Sequence, residues 1–531
     1  MTQTQPTGEM LIGSNAVRGT SGTMLAFNPG TNSDIPEPVF GLGGANEVDR
    51  AAELAAAAFD PYRNLPFSLR AQFLETIAEN IMSLGDTLIE RAHAETGLPI
   101  ARLQGERGRT IGQLKLFAQV IRDGAFLSAS IDPAQPSREP LPRADLRLCK
   151  IPLGPVAVFG ASNFPFAFSV AGGDTASALA AGAPVIVKAH SAHLGTSELV
   201  GRAIQKAVND LELPEGVFSL LIGRGRDVGE KLVAHPAIKA VGFTGSRQGG
   251  LALTAIANKR PEPIPVYAEM SSINPVYLLP FALQNRGEKI AKDFVDSLNL
   301  GAGQFCTNPG LVFAKEGADL DAFVTAAGTA IAEKSAQTML TPGIYEAYTH
   351  GTAEVESVGS VKKVGSGSTA GDTPNRAQAA LYMATADEFL QNPALHAEMF
   401  GPASIIVSIS DEAQFLSITE TLEGQLTATL QMDEADYKLA ASLLPVLERK
   451  AGRILANGFP TGVEVCHAMV HGGPFPSSSN SMFTSVGATA IDRFLRPVCY
   501  QDIPEALLPD AVKEANPLKI NRKVNGVMEA E

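Results

Sequence analysis

PVAVFG (155–160), PVIVKAH (184–190), GVFSLLIG (216–223), IKAVGFTG (238–245) and IPVYAEM (264–270) are five short apolar runs. Between them lie FSVAGGDTASALAAG (168–182), TSELVGRAIQKAVNDL (196–211), EKLVAHP (230–236) and GGLALTAIANK (249–259), which read as helices. Parallel strands need crossover connections, and helices supply them, so the alternation predicts a doubly wound parallel sheet with a Rossmann-like core. In such a sheet the ligand lies outside the carboxyl ends of the strands.

Before this core, about Val48 to Gly124 has helical periodicity, and the alanine-dense AAELAAAAF (51–59) is helix-forming rather than a repeat. The proline-rich IDPAQPSREPLPRADLRLCKIPLG (131–154) follows, and its tail alternates like an edge strand or hairpin. After Pro275 a second α/β alternation runs to about Gly473, with SVKKVGSGSTAGD (360–372) expected as an exposed turn inside it. RPVCY (496–500) is a β-prone run near the end, a candidate for sheet addition between subunits.

The 531 residues suggest about three domains. Charged residues are 18% against 45% hydrophobic, below the roughly 25% of average soluble proteins, which implies a large interior and subunit contacts. A net charge of −14 argues against nucleic acid, which needs a dense basic stripe. Cys149, Cys306, Cys466 and Cys499 are too few and scattered for a disulfide framework, and none forms a CxxC pair. The start has no signal-peptide pattern and no apolar stretch reaches about 18 residues, so the expectation is a soluble cytoplasmic protein without a membrane partner.

Cys306 lies in GAGQFCTNPG, where small residues let a ligand approach; it reads as a nucleophile or, alone, as a small buried hydrophobe. Glu269 closes an apolar strand and reads as a general base for water, its pKa raised by burial, or as a solvated strand-end carboxylate. Asn163, after the first core strand, offers an amide to a developing oxyanion or caps a helix. Lys188 ends the second strand, within reach of a ribose or phosphate, or snorkels to solvent. Gly245 and Ser246 open a helix whose N–H groups suit a pyrophosphate, although the spacing is not GxGxxG.

Taken together, FGASNFPFAFS (159–169), PVIVKAHS (184–191), FTGS (243–246), AEMSSINP (268–275), GQFCTNPG (303–310) and EMFGP (398–402) resemble, in order and spacing, the aldehyde dehydrogenase superfamily. The run from Phe164 to Val200 is similar to the branch of α-ketoglutaric semialdehyde (2,5-dioxovalerate) dehydrogenases and an NADP-linked fatty-aldehyde dehydrogenase. The resemblance implies an α/β fold with a Rossmann-like cofactor domain (1–131 and 153–272), an α/β catalytic domain (273–480) and a small β oligomerisation arm with its tail (132–152 and 481–531). It implies that Cys306 attacks an aldehyde, Asn163 holds the oxyanion, and Glu269 activates the water that hydrolyses the thioester. Lys188, Ser246, Glu398 and Phe400 would hold the cofactor, and no metal is expected.

Ser191 stands where NAD-preferring relatives carry a glutamate, and with His190, Arg224 and Arg226 nearby the resemblance implies NADP, in preference to NAD. It also places Arg109 on the substrate tunnel with Phe164, Phe168, Phe305, Met469 and Phe475, so that a short aldehyde acid, α-ketoglutaric semialdehyde, would be oxidised to 2-oxoglutarate. The alternative for Arg109 is an outward pair with Glu106. The family's aromatic approach to the asparagine is GAS here and its ELGG is EMSS, which alters the local pocket. Competing readings are a dehydrogenase of medium, long-chain or general aldehydes, a non-enzymatic descendant, and a cofactor-independent cysteine hydrolase. The hydrolase lacks a histidine near Cys306 in the sequence. A homo-oligomer is expected.

Overall fold

The computed structural model describes residues 5–369 and 371–529. The five apolar runs form one parallel sheet in the order Val266–Glu269, Ala240–Thr244, Val156–Phe159, Val185–Lys188, Phe218–Leu221. The three runs from Val156 to Leu221 are buried almost throughout, as a sheet covered by helices on both faces requires. Chain order reverses between Val156–Phe159 and Ala240–Thr244, so their outgoing loops diverge and open a crevice. Asn163 follows one of these strands and Ser246 the other. Two strands not foreseen from the sequence cover that edge: Met10–Ile12 adds antiparallel to Phe218–Leu221, and Asn15–Val17 adds antiparallel to Met10–Ile12.

The helical segment resolves into Ala45–Arg63, Phe67–Ser83, Gly85–Thr96 and Ile100–Asp123. In the last, residues 102, 106, 109 and 113 recur at helical spacing and share one face. The second alternation forms a sheet of six parallel strands, in the order Ala380–Thr385, Ala403–Ile409, Leu311–Lys315, Pro275–Leu278, Gln425–Gln431, Ala451–Ala456. Its seventh strand, Lys362–Ser366, is antiparallel at the edge. Of the exposed turn expected over residues 360–372, Lys362–Ser366 is strand, because pairing with Ala380–Thr385 overrides the glycine-rich composition, and Ala370 lies outside the described residues.

A third sheet runs Leu495–Gln501, Leu146–Pro152, Ser130–Asp132, Lys523–Val524, Val527–Met528. RPVCY pairs within its own chain, from Leu495 opposite Pro152 to Gln501 opposite Leu146. Within the arm expected over residues 481–531, Ser485 donates to Glu269 and Ala488–Phe494 packs on the helix Gly173–Ala181, so these residues lie outside the third sheet. Among the described residues no helix is long and apolar enough to cross a membrane.

Candidate active site

Cys306 follows a tight turn at the end of the helix Pro280–Asn299. Gly301, Ala302 and Gly303 have φ of 57°, 57° and 65°. For Ala302 that left-handed conformation costs on the order of 1 kcal/mol. A Cβ on Gly303 would lie 2.3 Å from the Gly401 carbonyl carbon, so the cysteine loop and the EMFGP turn touch backbone to backbone. Asn274, just past Glu269, donates from Nδ2 to the carbonyls of Cys306 and Asn308, each at 2.9 Å. The thiol and the carboxylate are thereby fixed to one frame.

The segment Ser477–Ser479 runs beside the strand that ends in Glu269: Met270 N–H donates to Ser477 O and Ser479 N–H to Ala268 O. This docking carries His471 and Ser485 into the centre. His471 Nε2 lies 3.4 Å from Cys306 Sγ and 2.9 Å from Glu269 Oε1, and the Ser485 hydroxyl shares its proton between Glu269 Oε2 at 2.7 Å and the His471 carbonyl at 2.9 Å. The Asn163 amide donates to Gln304 O at 3.0 Å with one N–H, which ties it to the cysteine loop and leaves the second N–H for an oxyanion.

Electrostatics set the resting protonation. Burial pushes the Cys306 thiol well above its ordinary value, and the Glu269 carboxylate beside it pushes further in the same direction. Burial would raise Glu269 too, but the facing His471 and the bonds from His471, Ser485 and Cys306 outweigh it and hold the carboxyl below its usual value. The sequence-based expectation of a Glu269 raised by burial is thus reversed. Both shifts favour a neutral thiol against a carboxylate, an arrangement in which a thiolate forms only when its proton has a place to go. Cys306, Glu269 and His471 also bring their ligand atoms within 4.8 Å of one another, a donor set that zinc accepts.

A cavity of about 310 Å³ reaches Cys306, walled by Arg102, Arg109, Phe164, Phe168 and Phe305 and closed by Thr461–Val463. Arg109 does not pair with Glu106. Its Nε donates to Val463 O at 3.3 Å and its guanidinium lies 5.1 Å from the Phe168 ring centre, while Glu106 accepts from the backbone N–H of Phe166 and Ala167. Met469 packs with Phe164 and Phe168 but does not line the cavity. Phe475 is misassigned by the sequence reading: it is 53% exposed under Arg247, whose guanidinium binds Glu423 through both Nη atoms.

The carboxyl edge of the first sheet fits a dinucleotide. Lys188 is half-buried at its strand end without a carboxylate partner among the described residues, and desolvation pushes its pKa down to about 8. A partly desolvated cation without a counter-charge suits a ribose or phosphate oxygen. Ser246 is the N-cap of the helix Arg247–Asn258, its Oγ accepting from Gly249 N–H. The Gly245 N–H expected for a pyrophosphate is already committed to Glu269 O. His190 is expected to donate to a phosphate; burial, then His193 and Lys188, hold it well below its usual value, and its Nδ1 accepts from Ala192 N–H. The ring is neutral, with only Nε2 left to donate. Ser191 is exposed, as are Arg224 and Arg226 after the adjacent strand. Glu398, raised to about 8 by burial, and Phe400 sit beside Gly303 and Phe305.

The sequence model for the aldehyde dehydrogenase family matches residues 17–496. The chain belongs to this family. Among its aldehyde dehydrogenase relatives, "Alpha-ketoglutaric semialdehyde dehydrogenase 2" of Azospirillum brasilense is 65% identical over 99% of this chain and 100% of its own length. "Alpha-ketoglutaric semialdehyde dehydrogenase" of Acinetobacter baylyi is 50% identical over 98% of each. The aldehyde dehydrogenase KauB from Pseudomonas aeruginosa superposes with a TM-score of 0.81 at 18% identity, covering 94% of this chain and 97% of its own. A C291A mutant of aldehyde dehydrogenase C from Pseudomonas syringae, complexed with NAD+ and octanal, gives 0.80 at 19%, covering 93% and 96%. At those identities the two structures establish the fold.

Two residues of the site escape the sequence reading. His471 stands 165 positions from Cys306 and removes the ground on which a thiol without a histidine was argued; its one local signal is its place before Gly472 and Gly473 in a polar loop. Arg102 donates from Nη2 to Asn163 O at 2.7 Å, and its only signal is the helical spacing to Glu106 and Arg109.

Proposed function

We propose that this chain oxidises α-ketoglutaric semialdehyde to 2-oxoglutarate with Cys306 as nucleophile, taking NADP+ in preference to NAD+. The observation that carries the substrate is Arg109, held by Val463 O and Phe168 in the wall of the Cys306 cavity with both Nη atoms free of protein acceptors among the described residues. Such a fork matches a carboxylate bidentately and stays charged at any working pH. The names of the two full-length relatives agree with that chemistry.

The thiol proton of Cys306 passes to the Glu269–His471 pair and on to solvent, and the sulfur attacks the aldehyde carbon. The carbonyl oxygen, now negative, takes bonds from the Asn163 amide and the Cys306 N–H. Lys188, Ser246 and Glu398 would hold a nicotinamide dinucleotide, which would supply the hydride acceptor for oxidation to the thioester level. Glu269 then takes a proton from water as the water oxygen bonds to the thioester carbon, the C–S bond breaks, and Cys306 is restored. The balance is one aldehyde, one water and one oxidised cofactor to one carboxylate, one reduced cofactor and two protons.

The NADP reading rests on exposed Ser191, which offers a 2′-phosphate no opposing carboxylate, and on Arg224 and Arg226 beyond the neighbouring strand. We assign the first sheet to cofactor binding, the second to catalysis and the third to a homo-oligomer, in which the open outer edge of Leu495–Gln501 pairs with another subunit. Absorbance at 340 nm with short semialdehyde acids, pentanal and long-chain aldehydes, under each cofactor, tests the activity. The highest kcat/KM is expected for the acid, and equal turnover of uncharged aldehydes refutes the substrate.

A further inference from the structure

The cavity wall holds a second guanidinium that the bound carboxylate alone does not explain. Arg102 lies one helical turn before Glu106, its guanidinium 5.1 Å from the Phe164 ring centre and 4.8 Å from that of Phe305, with Nη2 on Asn163 O. Its Nη1 packs against Gly301, where a Cβ would come within 2.8 Å, and has no protein acceptor among the described residues. Arg109 is anchored in the same manner, by Nε and one aromatic face, with Nη1 and Nη2 both unpartnered and buried. Three charged nitrogens without protein acceptors among the described residues thus lie buried in the wall of one cavity, beside the aromatic rings that line it, and a buried donor left without an acceptor costs free energy that a ligand recovers.

Glu106, between the two arginines, does not satisfy them. Its Oε1 accepts from Phe166 and Ala167 N–H, and its Oε2 takes no bond. Two cations face one internal carboxylate, which leaves the wall with room for one negative charge. Arg453 braces the opposite side, donating to Pro460 O and Gly462 O, so Thr461–Val463 cannot simply fold in to cover the donors.

We infer that Arg102 and Arg109 together read a 2-oxo acid: the free fork of Arg109 takes the two carboxylate oxygens, and Arg102 Nη1 takes the oxygen on the adjacent carbon. The assignment follows from donor number. Two free N–H-bearing nitrogens on one planar group match a carboxylate, and the single one on Arg102 matches a lone carbonyl oxygen. A plain semialdehyde acid of the same length leaves Arg102 Nη1 unpaired, and discrimination against a ligand lacking one hydrogen-bonding group is what a site of buried donors delivers. The inference rests on the proposed semialdehyde-acid substrate and specifies its recognition.

The experiment compares kcat/KM for α-ketoglutaric semialdehyde, glutarate semialdehyde (the same chain without the 2-oxo group) and pentanal, in the wild type, Arg102→Met and Arg109→Met. Alongside it, calorimetry measures 2-oxoglutarate and glutarate binding to the wild type. Expected are a wild-type preference of at least about tenfold for the 2-oxo acid over the plain acid, and a matching preference for 2-oxoglutarate over glutarate. Arg102→Met should bring the ratio of the two acids to within about threefold while keeping most of the ratio of acid to pentanal; Arg109→Met should collapse the latter. An unchanged ratio of acids in Arg102→Met, an equal loss on all three substrates, or a wild type that binds glutarate as tightly as 2-oxoglutarate overturns the inference. If Arg102→Met does not fold, the binding contrast decides. If pentanal equals both acids in the wild type, the substrate class itself falls, an outcome distinct from losing only the 2-oxo preference.

Discussion

Replacing Glu269 by Gln should make the Cys306 thiol more acidic while removing the group that accepts its proton. In the structure Glu269, Cys306 and His471 have their reactive atoms within 4.8 Å of one another, and the Cys306 thiol stands well above its ordinary value through burial first and the Glu269 carboxylate second. Two like charges at that distance repel by about 3 kcal/mol at an effective dielectric constant of about 20. Glu269→Gln removes that part and leaves burial in place, so the thiol should become more acidic and still stand above its ordinary value. The assay is the rate of iodoacetamide alkylation of the enzyme from about pH 6 to about 11, since only the thiolate reacts. Because the wild-type pKa is raised, its rate should still be climbing at the alkaline end, and the variant's inflection should appear at lower pH. Steady-state oxidation should meanwhile drop, with an initial burst of reduced cofactor before slow thioester hydrolysis. An inflection that stays put or moves upward refutes the reasoning, because the charge beside the thiol would then not be Glu269.

His471→Asn should lower kcat by at least about a hundredfold, the lower end for a lost acid–base group, and should also move the acid limb of the pH–rate profile. With His471 gone, burial prevails and the Glu269 carboxyl rises, so activity should fail at higher pH than in the wild type as the solution is acidified; an unmoved limb counts against the pairing. Ser191→Glu should shift the ratio of kcat/KM for NADP+ and NAD+ toward NAD+ by at least about tenfold, through repulsion of the 2′-phosphate and acceptance from the 2′-hydroxyl. A wild type already selective for NAD+ contradicts the argument. Micromolar Zn2+ should inhibit reversibly through Cys306, His471 and Glu269, with activity restored by a chelator and the inhibition weakened in His471→Asn; inhibition equally strong in that variant would place the metal elsewhere.

The sequence by itself determined what local rules encode. Short continuous apolar runs joined by helical stretches specified the parallel sheet from Val156 to Glu269, because a strand covered on both faces and a crossover helix each write their own signature into consecutive residues. Cys306, Glu269, Asn163 and Lys188 were legible for the same reason: each stands at a strand end or in a small-residue loop where its chemistry conflicts with simple packing. The tertiary structure decided the rest. His471 reaches Cys306 only because Ser477–Ser479 docks beside Val266–Glu269, a pairing across some two hundred residues that leaves no period in either segment. The same docking brings Ser485 to Glu269, reverses the expected direction of the Glu269 pKa, and leaves Phe475 exposed. Arg102 and Arg109 lie on one helix face by spacing alone, but that they line the cavity of Cys306 depends on how that helix packs against two loops from distant parts of the chain. Side-chain encounters of this kind are set by packing between elements, and the preferences of neighbouring residues do not encode it.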